Sequence, residues 1–202
     1  MFNVSLAGSR LRLRENNRGL VIKAARKVLL RDGAARFSLR AVARELGCSP
    51  GTIYTYYAGR DAMISAVVDA SFARLGRQLK KAKAPRDGAA SMRRGGEIYI
   101  EFGLSHPEDY MIAFMLPSAA RKPGYRPHDA YLGVRNMIAG AVEKGELAGD
   151  PDEIVQVMWT ALHGLVSLLI QRPHFPWVPR KRLIEATLDA IMNNLQAHKP
   201  RP

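Results

Sequence analysis

The segment FSLRAVARELGCSPGTIYTYY, residues 37–57, constrains this chain more than any other. Behind Ser38, the apolar residues Leu39, Val42, Ala43 and Leu46 recur at helical spacing. A serine in front of such a run accepts hydrogen bonds from the first backbone N–H groups. Gly47 then allows a tight turn. Ser49-Pro50 opens a second helix, because proline loses no hydrogen bond at the first helical position. In that helix Ile53 and Tyr57 stand four residues apart and form an inward pair. Rotation by ~100° per residue carries Gly51, Thr52 and Thr55 to the opposite side, with Tyr54 and Tyr56 on the flanks. Two short helices joined by a glycine turn make a helix-turn-helix. Such a second helix suits a DNA major groove. Small hydroxylated residues meet base edges, longer hydroxyl-bearing side chains reach the phosphates, and the first N–H groups point outward.

Charge points the same way. Residues 1–60 hold twelve Lys/Arg against three acids, Glu15, Asp32 and Glu45. Residues 61–202 hold nineteen against fifteen, so most of the net +13 lies in the first part of the chain. A compact basic segment implies a polyanionic partner, either nucleic acid or an anionic membrane surface. Charge alone also fits a protein that is merely well solvated.

Helical periodicity continues through the remainder, and no stretch alternates as a strand would. The arm to Arg14 is basic and aperiodic, and it reads as mobile. Arg10, Arg12 and Arg14 suit a minor groove or simple disorder. A first helix over 15–32 carries Leu20, Val21, Ala24, Ala25, Val28 and Leu29 on one face and ends near Gly33. A longer helix, about 60–81, places Ile64, Val68, Phe72, Leu75 and Leu79 on one stripe. The segment 84–90, APRDGAA, is a linker by composition. Five further helices are expected near 89–105, 107–118, 127–145, 151–171 and 179–197, with early prolines at Pro107 and Pro151. The resulting division is a basic arm (1–14), a DNA-binding domain (15–60), a connecting helix (61–83) and a larger helical domain (84–202). The single cysteine, Cys48, excludes an intrachain disulfide and suits a reducing, cytoplasmic setting; it reads as a small filler in the turn. The first residues lack the apolar centre of a signal peptide. The apolar run 157–170 is short for a membrane span and contains His163, so no membrane partner is expected.

Residues 15–65 resemble the TetR family of bacterial transcriptional regulators. The likeness rests on Ser38 before Leu39-Arg40-Ala41-Val42-Ala43, on Gly47-Cys48-Ser49-Pro50-Gly51-Thr52-Ile53-Tyr54, and on Tyr56-Tyr57 and Arg60-Asp61. The family usually has phenylalanine at the place of Tyr57, histidine or tyrosine at Tyr56 and lysine at Arg60. The resemblance implies a two-fold dimer of all-α subunits. Each would have a small DNA-binding domain and a larger domain that binds a small molecule and dimerises. By position it implies DNA contacts from Ser38, Arg40, Ser49, Gly51, Thr52, Tyr54, Thr55, Tyr56 and Arg60. Ser38 and Ser49 also suit caps, Tyr54 also suits packing, and Tyr57 reads as core.

The C-terminal half carries no catalytic signature. It lacks a phosphate loop, an HExxH pair and a nucleophile elbow, and its histidines lack metal-ligand spacing. No metal or cofactor is expected. The helix near 151–171 is apolar nearly all round, which implies cover on every side. A second subunit is the simplest source of that cover. Val155, Met158, Leu162, Leu165 and Leu169, with Ile184, Leu188, Ile191 and Leu195 from the last helix, form the expected dimer interface. Burial inside one subunit is the other reading. The segment WTALHG (159–164) looks like the Trp/His-Gly signature of one TetR subgroup. Trp159 and His163 join Tyr99, Phe102, Tyr110, Met111, Phe114 and Met115 as candidates to line a pocket for a small apolar or aromatic effector. The same residues also suit plain core. The scarcity of acids among them argues against a multivalent cation.

The expectation is therefore an all-α protein of about nine helices, with an N-terminal three-helix DNA-binding domain and a C-terminal effector and dimerisation domain. Its function would be ligand-responsive, sequence-specific regulation of transcription, acting as a homodimer on a roughly palindromic operator. Two other classes use the same features. An architectural DNA-binding protein would bind without sequence preference, and a helical enzyme would use the C-terminal pocket for chemistry.

Overall fold

The computed structural model describes residues 3–81, 87–116 and 126–197, with side chains described from Asn17 to Asn193 outside those gaps. The order is α1 (Asn3–Arg36), α2 (Leu39–Leu46), α3 (Pro50–Tyr54), α4 (Arg60–Lys81), α5 (Gly88–Ser105), α6 (Pro107–Tyr110), α7 (Asp129–Glu143), α8 (Pro151–Gln171) and α9 (Arg180–Ala197). A π-helical turn, Met111–Met115, follows α6 directly. No strand occurs among the described residues, in line with the all-α expectation. The chain divides into two compact units. One comprises Met1–Ser71 and Met111–Tyr125; the other comprises Phe72–Tyr110 and Arg126–Pro202. Helix α4 contributes to both.

Three of the expected elements differ in extent. Helix α1 begins at Asn3 and so includes the backbone of the segment read as a mobile arm. Leucine and arginine, frequent there, are strong helix formers. Gly33, at φ 75°, interrupts the helix where a C-terminal cap was expected. Helix α3 ends at Tyr54, short of residue 57, and the chain continues as a turn in which Tyr57 N donates to the Ile53 carbonyl at 3.1 Å. The expected helix over 107–118 is a single α-turn followed by the π-turn. The loop expected at 119–128 lies largely outside the described residues.

The N-terminal unit is built around Val28, Val42, Ile53 and Met63, all fully buried. Leu20, expected on the inward face of α1, is exposed instead. Tyr57 is 4% exposed, and Arg18 of α1 donates to its hydroxyl at 3.3 Å. Gly47, at φ 65°, supplies the left-handed turn that closes α2 and aims α3. Ile112 and Leu116 from the later segment pack into this same core.

In the C-terminal unit, α5 packs against α7, α8 and α9. Two glycines on α5 let its neighbours approach: a Cβ on Gly96 would lie 2.9 Å from Leu188, and one on Gly103 would collide with Val166. Arg135 of α7 holds Asp152 of α8 through two bonds, at 2.8 and 3.1 Å.

The expected dimer stripe needs correction. Val155, Met158, Leu162, Leu165, Leu169, Leu188 and Ile191 are already buried within the single subunit, and Ile184 is half-buried. The side chain of Leu195 lies outside the described residues. A helix apolar on all sides offers two stripes, and its own unit takes one. The stripe left outside contains Val157 and Leu168, 50% and 48% exposed, with the smaller Ala161 and Gly164 between them. By length and composition α8 is long and apolar enough to cross a membrane. Its buried stripe instead packs as a core helix does.

The space around α5 gives a direct prediction. Gly103→Ala forces its methyl into Val166 and the Tyr110 ring and should cost ~1–3 kcal/mol in urea unfolding. Gly95→Ala has nothing within 4 Å to meet and should gain up to ~1 kcal/mol from helix preference alone. Equal effects would contradict this packing.

Candidate functional site

Two groups of residues stand out, one in each unit. In the N-terminal unit, the Ser38 hydroxyl caps α2 by accepting from Ala41 N at 3.2 Å. The Ser49 hydroxyl caps α3 by accepting from Thr52 N at 3.3 Å, and it also pairs with the Thr52 hydroxyl at 3.0 Å. Ile53 and Tyr57 point inward and anchor α3. Their burial leaves Gly51, Thr52, Tyr54 and Thr55 on the exposed side, with Arg40 exposed on α2. Tyr56 is half-buried and packs on the core.

Arg60 has a task that its position did not suggest. Its guanidinium donates to the backbone carbonyls of Phe37, at 3.3 Å, and of Ala34. A cation at a helix start opposes the helix dipole. That mismatch was the available signal that Arg60 serves another element. Here it ties the start of α4 to the end of α1. Lys27 and Arg31 of α1 likewise hold Glu45 of α2, at 2.5 and 2.9 Å. These two cations keep the Glu45 carboxyl below its ordinary range.

The C-terminal unit gathers Tyr99, Tyr110, Trp159 and His163 of α5, α6 and α8. Trp159 Nε1 donates to the Tyr99 hydroxyl at 3.3 Å. The Tyr99 hydroxyl lies 3.2 Å from that of Tyr110, and the Tyr110 hydroxyl lies 2.6 Å from His163 Nδ1. An order that uses each proton once runs Trp159 to Tyr99 to Tyr110 to His163. In it Nδ1 accepts and the imidazole is neutral. Burial lifts the Tyr99 hydroxyl far above its ordinary range, pushes Tyr110 up to about 12, and lowers His163. All three groups are thereby held uncharged near neutral pH. Trp159 remains 43% exposed, and the Tyr131 ring meets it edge-on at 6.1 Å.

The other pocket candidates divide between the two units. Phe102 is fully buried and stacks on His106. Met111, Phe114 and Met115 belong to the N-terminal unit, on the π-turn. The pattern of aromatic and methionine residues could not reveal this division, because one turn of chain passes from one unit to the other. Sequence reasoning also missed Asp109, 4% exposed and held by Arg74 of α4 at 2.6 Å. Among the described residues no group of three or more potential metal ligands occurs.

Both groups lie within segments that match known protein families. A family profile described as bacterial regulatory proteins, tetR family, matches residues 21–67. A second, described as tetracyclin repressor-like, C-terminal domain, matches residues 92–195, just over half the chain. The chain belongs to the TetR family. Its helix-turn-helix is α2–α3, inside the first match. An HTH-type transcriptional regulator of Mycobacterium tuberculosis is 28% identical over 148 residues, and one of Mycobacterium bovis is equally similar. The match covers 70% of this chain and spans 61% of the length of those relatives. Among solved structures, a protein from Rhodococcus sp. RHA1 is similar in fold, with a TM-score of 0.72 at 24% identity over 88% of this chain and 94% of that one. A variant of TetR from Acinetobacter baumannii AYE, in complex with minocycline, gives a TM-score of 0.65 at 15% identity over 91% of this chain and 98% of that one.

The lowered His163 has a measurable consequence. The unfolded imidazole titrates near ~6.5, and the folded one below it. Stability should be full above the unfolded value. It should fall as pH drops from there through the folded value, since the unfolded chain takes up the proton more readily. His163→Gln should flatten that part of the pH profile of urea midpoints. An unchanged slope would show that the imidazole is not held neutral.

Proposed function

We propose that this TetR-family protein is a ligand-responsive, sequence-specific repressor that acts in the cytoplasm as a homodimer. The observation that carries the reading is the orientation of α3. Ile53 and Tyr57 are buried, so Gly51, Thr52 and Thr55 form the outward side of a short, capped helix in the basic part of the chain. Thr52 and Thr55 meet base edges in the major groove, while Ser38, Arg40, Tyr54 and Tyr56 approach the backbone phosphates on either side. Arg60 acts chiefly by fixing α4.

Dimerisation uses the stripe of α8 left outside by its own unit. Val157 and Leu168 supply apolar area, and Ala161 and Gly164 permit close approach. A shallow groove continues the surface, lined by Leu168, Trp177, Leu183 and Thr187 among others. Two subunits would then present two α3 helices to operator half-sites ~34–36 Å apart, or at a related spacing.

The effector binds at the Tyr99–Tyr110–His163–Trp159 cluster. Tyr110 immediately follows Asp109, which holds α4 through Arg74. It immediately precedes the π-turn, whose Ile112 is buried in the N-terminal core. A ligand that moves Tyr110 therefore acts on residues of both units. Release from DNA follows as a population shift, limited by the effector's differential affinity for the two states.

Two measurements test this reading. On a duplex recovered from a random pool, Thr52→Ala should lose ~1–3 kcal/mol of affinity and leave a scrambled duplex unaffected. Equal loss on both would remove Thr52 from sequence readout. In sedimentation, Leu168→Glu should shift the protein from twice 22.4 kDa to 22.4 kDa with its helical signal intact. A variant that stays dimeric would place the interface elsewhere.

A further inference from the structure

A threonine hydroxyl can read either kind of base edge, because its oxygen both donates and accepts. Thr55 has given up half of that freedom. Its backbone continues the helical course of α3, at φ −69° and ψ −20°. Its hydroxyl donates to the Thr52 carbonyl at 2.7 Å. Carbonyls in the last turn of a helix lack a partner inside the helix, so this bond satisfies the end of α3. It runs in one direction only, since a carbonyl cannot donate. The Ser49 and Thr52 hydroxyls differ in this respect: they lie 3.0 Å apart, and either can be the donor. Thr52 can therefore offer DNA a proton or a lone pair, whereas Thr55 offers lone pairs alone.

The oxygen is also open to approach. Thr55 is exposed, and Gly51, one turn earlier on the same side, is exposed and has no side chain to cover it. A Cβ added at Gly51 would meet only Ser49 Oγ, at 3.7 Å, so the fold itself leaves this space clear. In the major groove the amino groups of adenine and cytosine donate, while guanine O6 and N7 and thymine O4 accept. Against guanine or thymine, Oγ1 would face another acceptor with no proton between them, unless Thr55 released the Thr52 carbonyl. Given the reading that α3 lies in the groove, we infer that Thr55 is a specificity-determining residue whose oxygen accepts from the amino group of an adenine or a cytosine. Every base pair carries one such group, so Thr55 selects which strand bears it.

The test uses the duplex that the full chain enriches from a random pool. In it each adenine is replaced in turn by purine, and each cytosine by 2-pyrimidinone, which removes only the amino group. At one position of a half-site the replacement should weaken wild-type binding about 5-fold, the worth of one neutral hydrogen bond. The same replacement should not weaken Thr55→Val further. Any effect on base pairing itself is common to both proteins and cancels in this comparison. Thr55→Ser, which keeps the oxygen, should show the wild-type dependence. A defined enriched sequence in which no replacement couples to Thr55→Val would overturn the acceptor role and leave α3 as the reader. Loss of a guanine or thymine preference in the sequences enriched by Thr55→Val would show that the hydroxyl donates, and would overturn it as well. A pool that stays random would overturn both the inference and the reading on which it rests.

Discussion

The burial of Ile53 against Val28, Val42 and Met63 is the contact on which the rest depends. Helix α3 is too short to hold its own shape in water, since helices of so few residues are marginal without tertiary support. Ile53 and Tyr57 give it that support. Once those two side chains are inside, helical geometry leaves no choice about where Thr52 and Thr55 point. The caps at Ser38 and Ser49 and the left-handed Gly47 set the angle between α2 and α3. Arg60 and the Lys27–Glu45–Arg31 group then join α1, α2 and α4 around that angle. Function at this end is thus a consequence of packing: the outward face is whatever the inward pair leaves over.

The helix-turn-helix was legible because its signals are local. Serine before a helical run, proline at a first position and a glycine turn each act over three or four residues, and here they all agree. The C-terminal unit was less legible because its signals are not local. Helix α8 is apolar on every side, so its sequence could not say which stripe meets its own unit and which is left outside. Leu162 and Leu168 look alike as residues, yet one is buried and the other half-exposed. Gly96 and Gly103 hold the answer, since they mark where α5 receives the side chains of α8 and α9. Their meaning appears only with the neighbours in place. Asp109, and the bonds of Arg60 to the end of α1, escaped the sequence for a related reason. Each bonds to an element far along the chain, and no periodicity records such a partner.

The chain passes between the two units within α4 and after Tyr110. Helix α4 begins in one and ends in the other, and Arg74 in its later part carries the buried Asp109. A buried carboxylate is costly to leave unpaired, so displacement at α6 disturbs α4 as well. The π-turn after Tyr110 is a common device at functional positions, and here it joins the polar aromatic cluster to Ile112. The effector response proposed above needs little motion at the cluster, provided the two arrangements differ in affinity for the effector.

The central claim is that the outward side of α3 reads base sequence, twice, in one dimer. Enrichment of bound duplexes from a random pool, followed by sequencing, tests it most directly. The account predicts a single inverted repeat whose halves are separated by about one helical turn or a related spacing. A pool that remains random after repeated rounds, while still binding with strong salt dependence, would contradict it.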